Sequence, residues 1–215
     1  MSRSMAIRIF IADDHPIVRQ GLRRIVEADA ALAIAGEASD AAALLGALEH
    51  TATDVVLLDV SMPGGPFLET LRELRARHPS VRVLVLSVHP EDQWAVRALR
   101  AGASGYLTKD HSPDQLLDAI RRVYRGGKYV SPTLAEHLAE HLDGGGQRAP
   151  HELLSDREFE VMRRLGSGLT VSQIAGELAI SAKTVSTYRT RILEKMAVAT
   201  NAELVRYAAR YGLIG

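Results

Sequence analysis

Apolar and polar residues follow two rhythms along this chain. Over residues 6–130, short apolar runs take turns with segments whose apolar positions recur every three to four residues. Ile7, Ile9 and Ile11 lead into Asp13-Asp14 and read as a first strand. Residues 15–28 then carry Ile17, Val18, Leu22, Ile25 and Val26 at helical spacing. Residues 32–38 are a weaker second strand, and 41–48 an Ala/Leu helix. The third strand, 54–60, is closed by Ser61-Met62-Pro63-Gly64. An apolar run of that length reads as a strand buried on both faces, with Asp59 where it runs out. Phe67, Leu68, Leu71 and Leu74 mark a helix ending near His78-Pro79, followed by a strand over 81–88 and a helix over 91–101. Residues 105–108 form a short fifth strand. Ser112 as N-cap and Pro113 at the first helical position open a last helix that stops at Gly126-Gly127.

Five β-α units predict a parallel sheet covered on both faces, an α/β flavodoxin-like doubly wound (βα)5 domain over residues 5–126. Residues 127–150 read as a linker: a short helix over 131–142, then the flexible Asp143-Gly144-Gly145-Gly146-Gln147-Arg148. From 151 to 215 the strand pattern disappears and a small all-α, four-helix domain is expected. Ser155 followed by Glu158 is a capping box, opening a helix that runs through Val161, Met162 and Leu165 to Gly166. A short helix at 171–178, a tight connection at 179–181 and a longer helix at 182–196 make a helix-turn-helix, with a fourth helix over 201–211. His137-Leu138-Ala139-Glu140-His141 matches a zinc-protease pattern, but it sits beside a glycine linker with no third ligand in view and reads as a solvated linker helix.

Net charge is zero and there is no cysteine, so neither disulfides nor thiolate metal sites hold the chain together. Arg8 and Asp13-Asp14 break up the apolar N-terminal residues, and no run approaches about 18 apolar residues; the expectation is a cytoplasmic protein without a membrane span. Lys+Arg against Asp+Glu is 16 against 16 in residues 1–130 but 9 against 7 in 151–215, where the basic excess gathers between Lys183 and Lys195. On the helix at 182–196, Val185, Ile192 and Met196 share one face, flanked by Tyr188 and Leu193. Lys183, Ser186, Thr187, Thr190 and Arg191 lie away from it, a basic and hydroxyl-bearing surface suited to the major groove; Arg189 lies at the edge between faces.

The chemistry gathers at the strand ends. In a doubly wound sheet the ends of strands one, three, four and five lie side by side, bringing together Asp13-Asp14, Asp59, Ser87 and Lys109. Three carboxylates in one crevice repel unless one is protonated or a cation is present. No convergent His or Cys supplies a soft ligand set, so a hard cation is expected, Mg2+ above all. Lys109 and the Ser87 hydroxyl suit phosphoryl oxygens.

Asp13-Asp14-His15-Pro16, Asp59 with Met62-Pro63-Gly64, Ser87, and Gly105-Tyr106-Leu107-Thr108-Lys109-Asp110 resemble the motifs of response-regulator receiver domains. Residues 151–213 resemble the LuxR-type helix-turn-helix, and the combination is similar to the NarL/FixJ family of two-component response regulators. The resemblance implies a non-enzymatic switch in which a sensor histidine kinase, or a small phosphodonor, phosphorylates Asp59. Asp14, Asp59 and the main-chain carbonyl of Ser61 would ligate Mg2+ (or Mn2+), with Asp13 binding directly or through water. Ser87 and Tyr106 would relay the change, Lys109 would contact the phosphoryl group, and a homodimer would bind promoter DNA and act on RNA polymerase. Lys183 and Arg191 would meet DNA phosphates, with Arg189 at the edge of the DNA-binding face, and Ser186, Thr187 and Thr190 base edges. Where the family has an acidic residue and a glycine after the Pro-Gly pair, this chain has Pro66 and Phe67, so the loop after Asp59 is expected to differ, Pro66 suiting a first helical turn. The rival is an Mg2+-dependent α/β phosphatase with Asp59 as nucleophile, which lacks here a second carboxylate two residues on.

Overall fold

The computed structural model describes residues 6–87, 91–132, 134–136, 149–178 and 180–214, with backbone alone at 91–93. The zinc-protease-like segment and the glycine stretch of the linker lie outside them. The chain forms two compact units, 1–139 and 140–215.

In the first unit, strands β1 (Ile7–Ala12), β2 (Leu32–Ala38), β3 (Val55–Asp59), β4 (Arg82–Ser87) and β5 (Gly105–Thr108) form one parallel sheet in the order β2-β1-β3-β4-β5. Helices α1 (Pro16–Glu27) and α5 (Pro113–Tyr124) cover one face; α2 (Ala41–Leu48), α3 (Phe67–Arg77) and α4 (Glu91–Arg100) cover the other. β3 is the central strand because it is apolar on both sides: Val55, Val56, Leu57 and Leu58 have no exposed surface. Burying each contributes roughly 1.5–3 kcal/mol. Period-two alternation sends Leu57, Leu84, Leu86 and Leu107 to the α1/α5 side with Leu116, Ile120 and Val123. On the other face, Phe67 and Trp94 pack edge-to-face with ring centres 5.8 Å apart, joining α3 to α4.

Local chemistry sets the ends of the elements. Asp54 falls just outside β3, because its carboxylate holds Arg8 at the main-chain N (2.8 Å) and at Nε and a terminal guanidinium nitrogen (3.0 and 2.7 Å). Ser112 and Gln115 form a reciprocal capping box on α5. Pro66 does not occupy the first turn of α3, as its ring suggests; its ψ of 130° makes it the N-cap, so the helix begins at Phe67. The preceding loop turns through Gly64 at φ +96°, and Pro63 accepts the main-chain N–H of Ala41 at 3.0 Å.

Gly105 is required by close approach. Its edge of the sheet is extended by a parallel bridge to Tyr129, and an added Cβ would lie 2.8 Å from the Tyr129 carbonyl oxygen and 2.9 Å from its Cβ. The neighbour is backbone, so it cannot swing aside. Gly105→Ala is expected to cost about 1–3 kcal/mol, measured as a lowered denaturant midpoint with unchanged slope.

In the second unit a 3-10 turn (Pro150–Leu153) precedes α6 (Asp156–Gly166), α7 (Val171–Glu177), α8 (Ala182–Lys195) and α9 (Asn201–Arg210). Ser155, Thr170, Ser181 and Thr200 each cap a helix N-terminus through the side-chain oxygen. Phe159, Val161, Met162, Ile174, Val185, Ile192, Leu204 and Ala208 are fully buried and form the core of this unit. The 3-10 turn is pinned by His151, whose Nδ1 is 2.8 Å from the Tyr207 hydroxyl, and Tyr207 stacks on Tyr211 at 4.5 Å.

Candidate functional site

The parallel register brings the C-terminal ends of β1, β3, β4 and β5 to one edge. Asp59 ends β3 opposite Leu86 and is 3% exposed; Asp13, just past β1, is 1% exposed. Such carboxylates must be compensated, and Lys109 does this. Its Nζ lies 2.6 Å from Asp13 Oδ2 and 2.9 Å from Asp59 Oδ1. The Lys109 N–H donates to Ser87 O at 2.7 Å, tying the end of β5 to that of β4. Asp59 Oδ2 accepts the Ser61 N–H at 3.2 Å. Asp13 Oδ1 accepts the His15 N–H at 2.8 Å, and its carbonyl accepts the Arg19 guanidinium at 2.7 Å.

Burial pushes the Asp59 carboxyl above the usual aspartate value, and the nearby Asp13 charge adds to this; Lys109 and the Ser61 N–H work the other way. Burial disfavours the Lys109 ammonium, but its hydrogen bonds to Asp13 and Asp59 outweigh that and hold it above the usual lysine value. Asp59 is thus a desolvated carboxylate beside a fixed cation.

Asp14 reaches the same crevice from a half-buried position. Its Oδ1 is a buried atom without a hydrogen-bond partner, and it lies 2.7 Å from His15 Nδ1 without hydrogen-bond geometry. Donor atoms of Asp13, Asp14, His15 and Asp59 all lie within 4.8 Å of one another. Three acidic groups gathered in one crevice, one of them with an oxygen that accepts no hydrogen bond, fit a divalent cation. The participation of His15 corrects the expectation that no histidine converges here; the signal was its adjacency to Asp13-Asp14, which reads as an ordinary turn until the chain folds back at the N-cap of α1.

Ser87 is 1% exposed, and Tyr106 is fully buried. The pairings Val85 with Tyr106 and Ser87 with Thr108 put both on the side of the sheet facing α4. Ser61 touches the site through its N–H.

In the second unit, α8 buries Val185 and Ile192, with Met196 buried at its C-cap, and exposes Lys183, Ser186, Thr187, Thr190 and Arg191. Ser186, Thr187 and Thr190 donate their hydroxyl protons to carbonyls four residues back, Ala182, Lys183 and Ser186, at 2.9, 3.0 and 3.2 Å. Arg189 is half-buried, and its Nε donates to Asn201 Oδ1 at 2.7 Å, which ties α8 to the start of α9.

A model of the response regulator receiver domain matches residues 9–121, and one of the luxR family of bacterial regulatory proteins matches residues 152–208. The chain belongs to the NarL/FixJ-type two-component response regulators. It is similar to the response regulator GacA of Pseudomonas viridiflava, 37% identical over 209 residues, 97% of this chain and 98% of that one. It is also similar to UvrY of Escherichia coli, 36% identical over 96% and 95% of the two chains. Among solved structures, the RcsB response regulator of Salmonella typhimurium superposes with a TM-score of 0.76 at 28% identity, over 97% and 99% of the chains. A further RcsB structure, bound to promoter rprA with the phosphomimetic BeF3-, gives 0.73 at 28% identity over 95% and 98%. This response regulator therefore pairs a flavodoxin-like receiver with a LuxR-type DNA-binding domain and regulates transcription. Among the described residues no helix is long and apolar enough to cross a membrane.

Proposed function

We propose that Asp59 is the phosphoacceptor through which a histidine kinase, or a small phosphodonor, controls promoter binding. The observation that carries this reading is the Lys109 ammonium held within 2.6–2.9 Å of both Asp13 and Asp59. A buried carboxylate is a poor place for the charge of an acyl phosphate unless cations are fixed beside it. An Asp59 carboxylate oxygen attacks phosphorus, the P–N bond to the donor imidazole breaks, and that nitrogen keeps the electron pair and takes a proton. Lys109 stabilises the transferring oxygens. Asp14, Asp59 and the Ser61 carbonyl would hold Mg2+ or Mn2+, with Asp13 alongside. When bound, such an ion neutralises phosphoryl charge. The Ser87 hydroxyl then closes on the phosphoryl group and Tyr106 adjusts behind it.

The second half of the reading is that receiver phosphorylation favours a homodimer whose α8 helices occupy two half-sites, with Lys183, Arg189 and Arg191 on or near the phosphates and Ser186, Thr187 and Thr190 toward bases. The RcsB structures with DNA, one described as two dimers on two parallel DNAs, support it by similarity. Recruitment of RNA polymerase and a cytoplasmic location belong to the same reading, as do the limits 5–126, 127–150 and 151–215 for receiver, linker and DNA-binding domain. In the test, the chain is incubated with an acyl phosphodonor and Mg2+ and its intact mass is read beside its promoter affinity. Wild type is expected to gain one phosphoryl group and tighter DNA binding; Asp59→Asn should gain neither. An adduct that persists in Asp59→Asn overturns the assignment.

A further inference from the structure

Asp13 lies in a short link, past the last residue of β1 and before α1, so neither the sheet ladder nor the helix provides a donor for its carbonyl. A main-chain carbonyl so placed needs a partner of its own. Arg19 supplies it. Its N–H closes the first helical turn on His15 O at 3.1 Å, and a terminal guanidinium nitrogen reaches back to Asp13 O at 2.7 Å. The guanidinium is steadied from β2, with Nε 3.4 Å from Glu37 Oε2. Arg23, one turn further along α1, holds the other Glu37 oxygen at 2.5 Å and Glu27 at 3.2 Å, and forms no hydrogen bond to the link.

The remaining polar atoms of Asp13 face the crevice or its frame. The N–H donates to Ala38 O at 3.1 Å, Oδ1 accepts the His15 N–H at 2.8 Å, and Oδ2 holds the Lys109 ammonium at 2.6 Å. That ammonium in turn lies 2.9 Å from Asp59 Oδ1. Without the guanidinium, the Asp13 carbonyl must turn toward water to find a donor, and the carboxylate on the same residue shifts with it. We infer that Arg19 is a positioning residue for phosphoryl transfer: by holding the Asp13 carbonyl it keeps the Asp13 carboxylate, and through it the Lys109 ammonium, aimed at Asp59. The inference rests on the reading above that Asp59 accepts the phosphoryl group. A shift of about 1 Å imposed from outside the reacting groups costs up to about 10²-fold in rate.

The test uses the full chain with an acyl phosphodonor and saturating Mg2+, and follows intact mass over time. Arg19→Gln is expected to be phosphorylated about tenfold more slowly than wild type. Arg19→Lys, which keeps a charged donor for the carbonyl, should lose no more than about threefold. Arg23→Ala removes an ion pair to the same Glu37 and should stay within about twofold of wild type. The second readout needs neither metal nor phosphodonor. The His15 amide reports on the Asp13 carboxylate through its 2.8 Å bond, and its hydrogen exchange in Arg19→Gln should quicken about tenfold more than that of Val56, Leu57 and Leu58 in β3. The β3 amides register any general loss of stability. Equal acceleration at both places makes Arg19 a structural contact only and overturns the proposal. So does a wild-type rate in Arg19→Gln, or a loss that Arg23→Ala matches or Arg19→Lys fails to relieve. An adduct that forms equally in Asp59→Asn overturns the reading beneath it, a result that the Arg19 variants do not produce.

Discussion

Replacing Lys109 by methionine is expected to slow phosphorylation of Asp59 by about 10²–10³-fold and to lower folding stability at neutral pH by about 3 kcal/mol. Methionine keeps much of the stem packing and removes only the ammonium. The kinetic loss follows from removing a fixed cation aimed at developing charge. The stability loss follows from leaving Asp13 and Asp59, 1% and 3% exposed, without their shared partner. The pH dependence separates the two. The Asp59 pKa is already raised in the folded state, so as pH falls toward 3.8 the native protein takes up this proton before the unfolded chain does, and stability rises. Without Lys109, which opposes that rise, the window extends to higher pH, and the variant should recover stability on mild acidification. In wild type the stabilisation from the raised Lys109 pKa is complete below 10.5 and is lost as pH climbs through the folded value. Denaturant titrations of both proteins between about pH 4.5 and 8 check this; a variant penalty that does not shrink in acid would refute the account.

The second large effect belongs to the DNA-binding unit. The Glu158 carboxylate, on a residue 3% exposed, accepts the Ser155 N–H and hydroxyl at 2.7 and 2.9 Å and the Lys195 ammonium at 2.6 Å. One side chain thus closes the first turn of α6 and fastens the last turn of α8. Glu158→Ala leaves a helix-end N–H unsatisfied and unties the two helices, a loss of about 2–3 kcal/mol. In so small a unit the whole stability margin is only a few kcal/mol. The variant should lose promoter binding and its second unit's melting transition while Asp59 is still phosphorylated. Burial pushes this carboxyl up, but bonds from Lys195 and Ser155 outweigh that and hold it below 4.5. The resulting stability is present above 4.5 and disappears as pH falls through the lower folded value; Lys195→Met should flatten that acid limb.

Much of this could be read before folding. The apolar run before Asp59 forced β3 into the middle of the sheet, and Ser112 and Ser155 marked their helices through capping boxes with Gln115 and Glu158. Strand order then put Asp59 beside Lys109. What escaped were contacts decided by tertiary geometry. Nothing near Glu158 announces a partner at Lys195, 37 residues on, and Gly105 shows no sign of the Tyr129 backbone that crowds it. His15 was legible as a residue but not as a member of the cluster, because the direction of its ring depends on how α1 leaves the sheet. Pro66 misled for a local reason: a proline φ near −65° serves an N-cap as well as a first turn, and only ψ distinguishes them.

The bent-back hydroxyls of α8 bear on the base contacts proposed for it. Ser186, Thr187 and Thr190 each spend their proton on a carbonyl of their own helix. What they present outward is oxygen lone pairs. In the major groove those lone pairs match the amino groups of adenine N6 and cytosine N4, and they repel guanine O6 and the N7 positions of the purines. On the proposed reading, these three positions then favour base edges of adenine and cytosine, while Lys183 and Arg191 hold the phosphates.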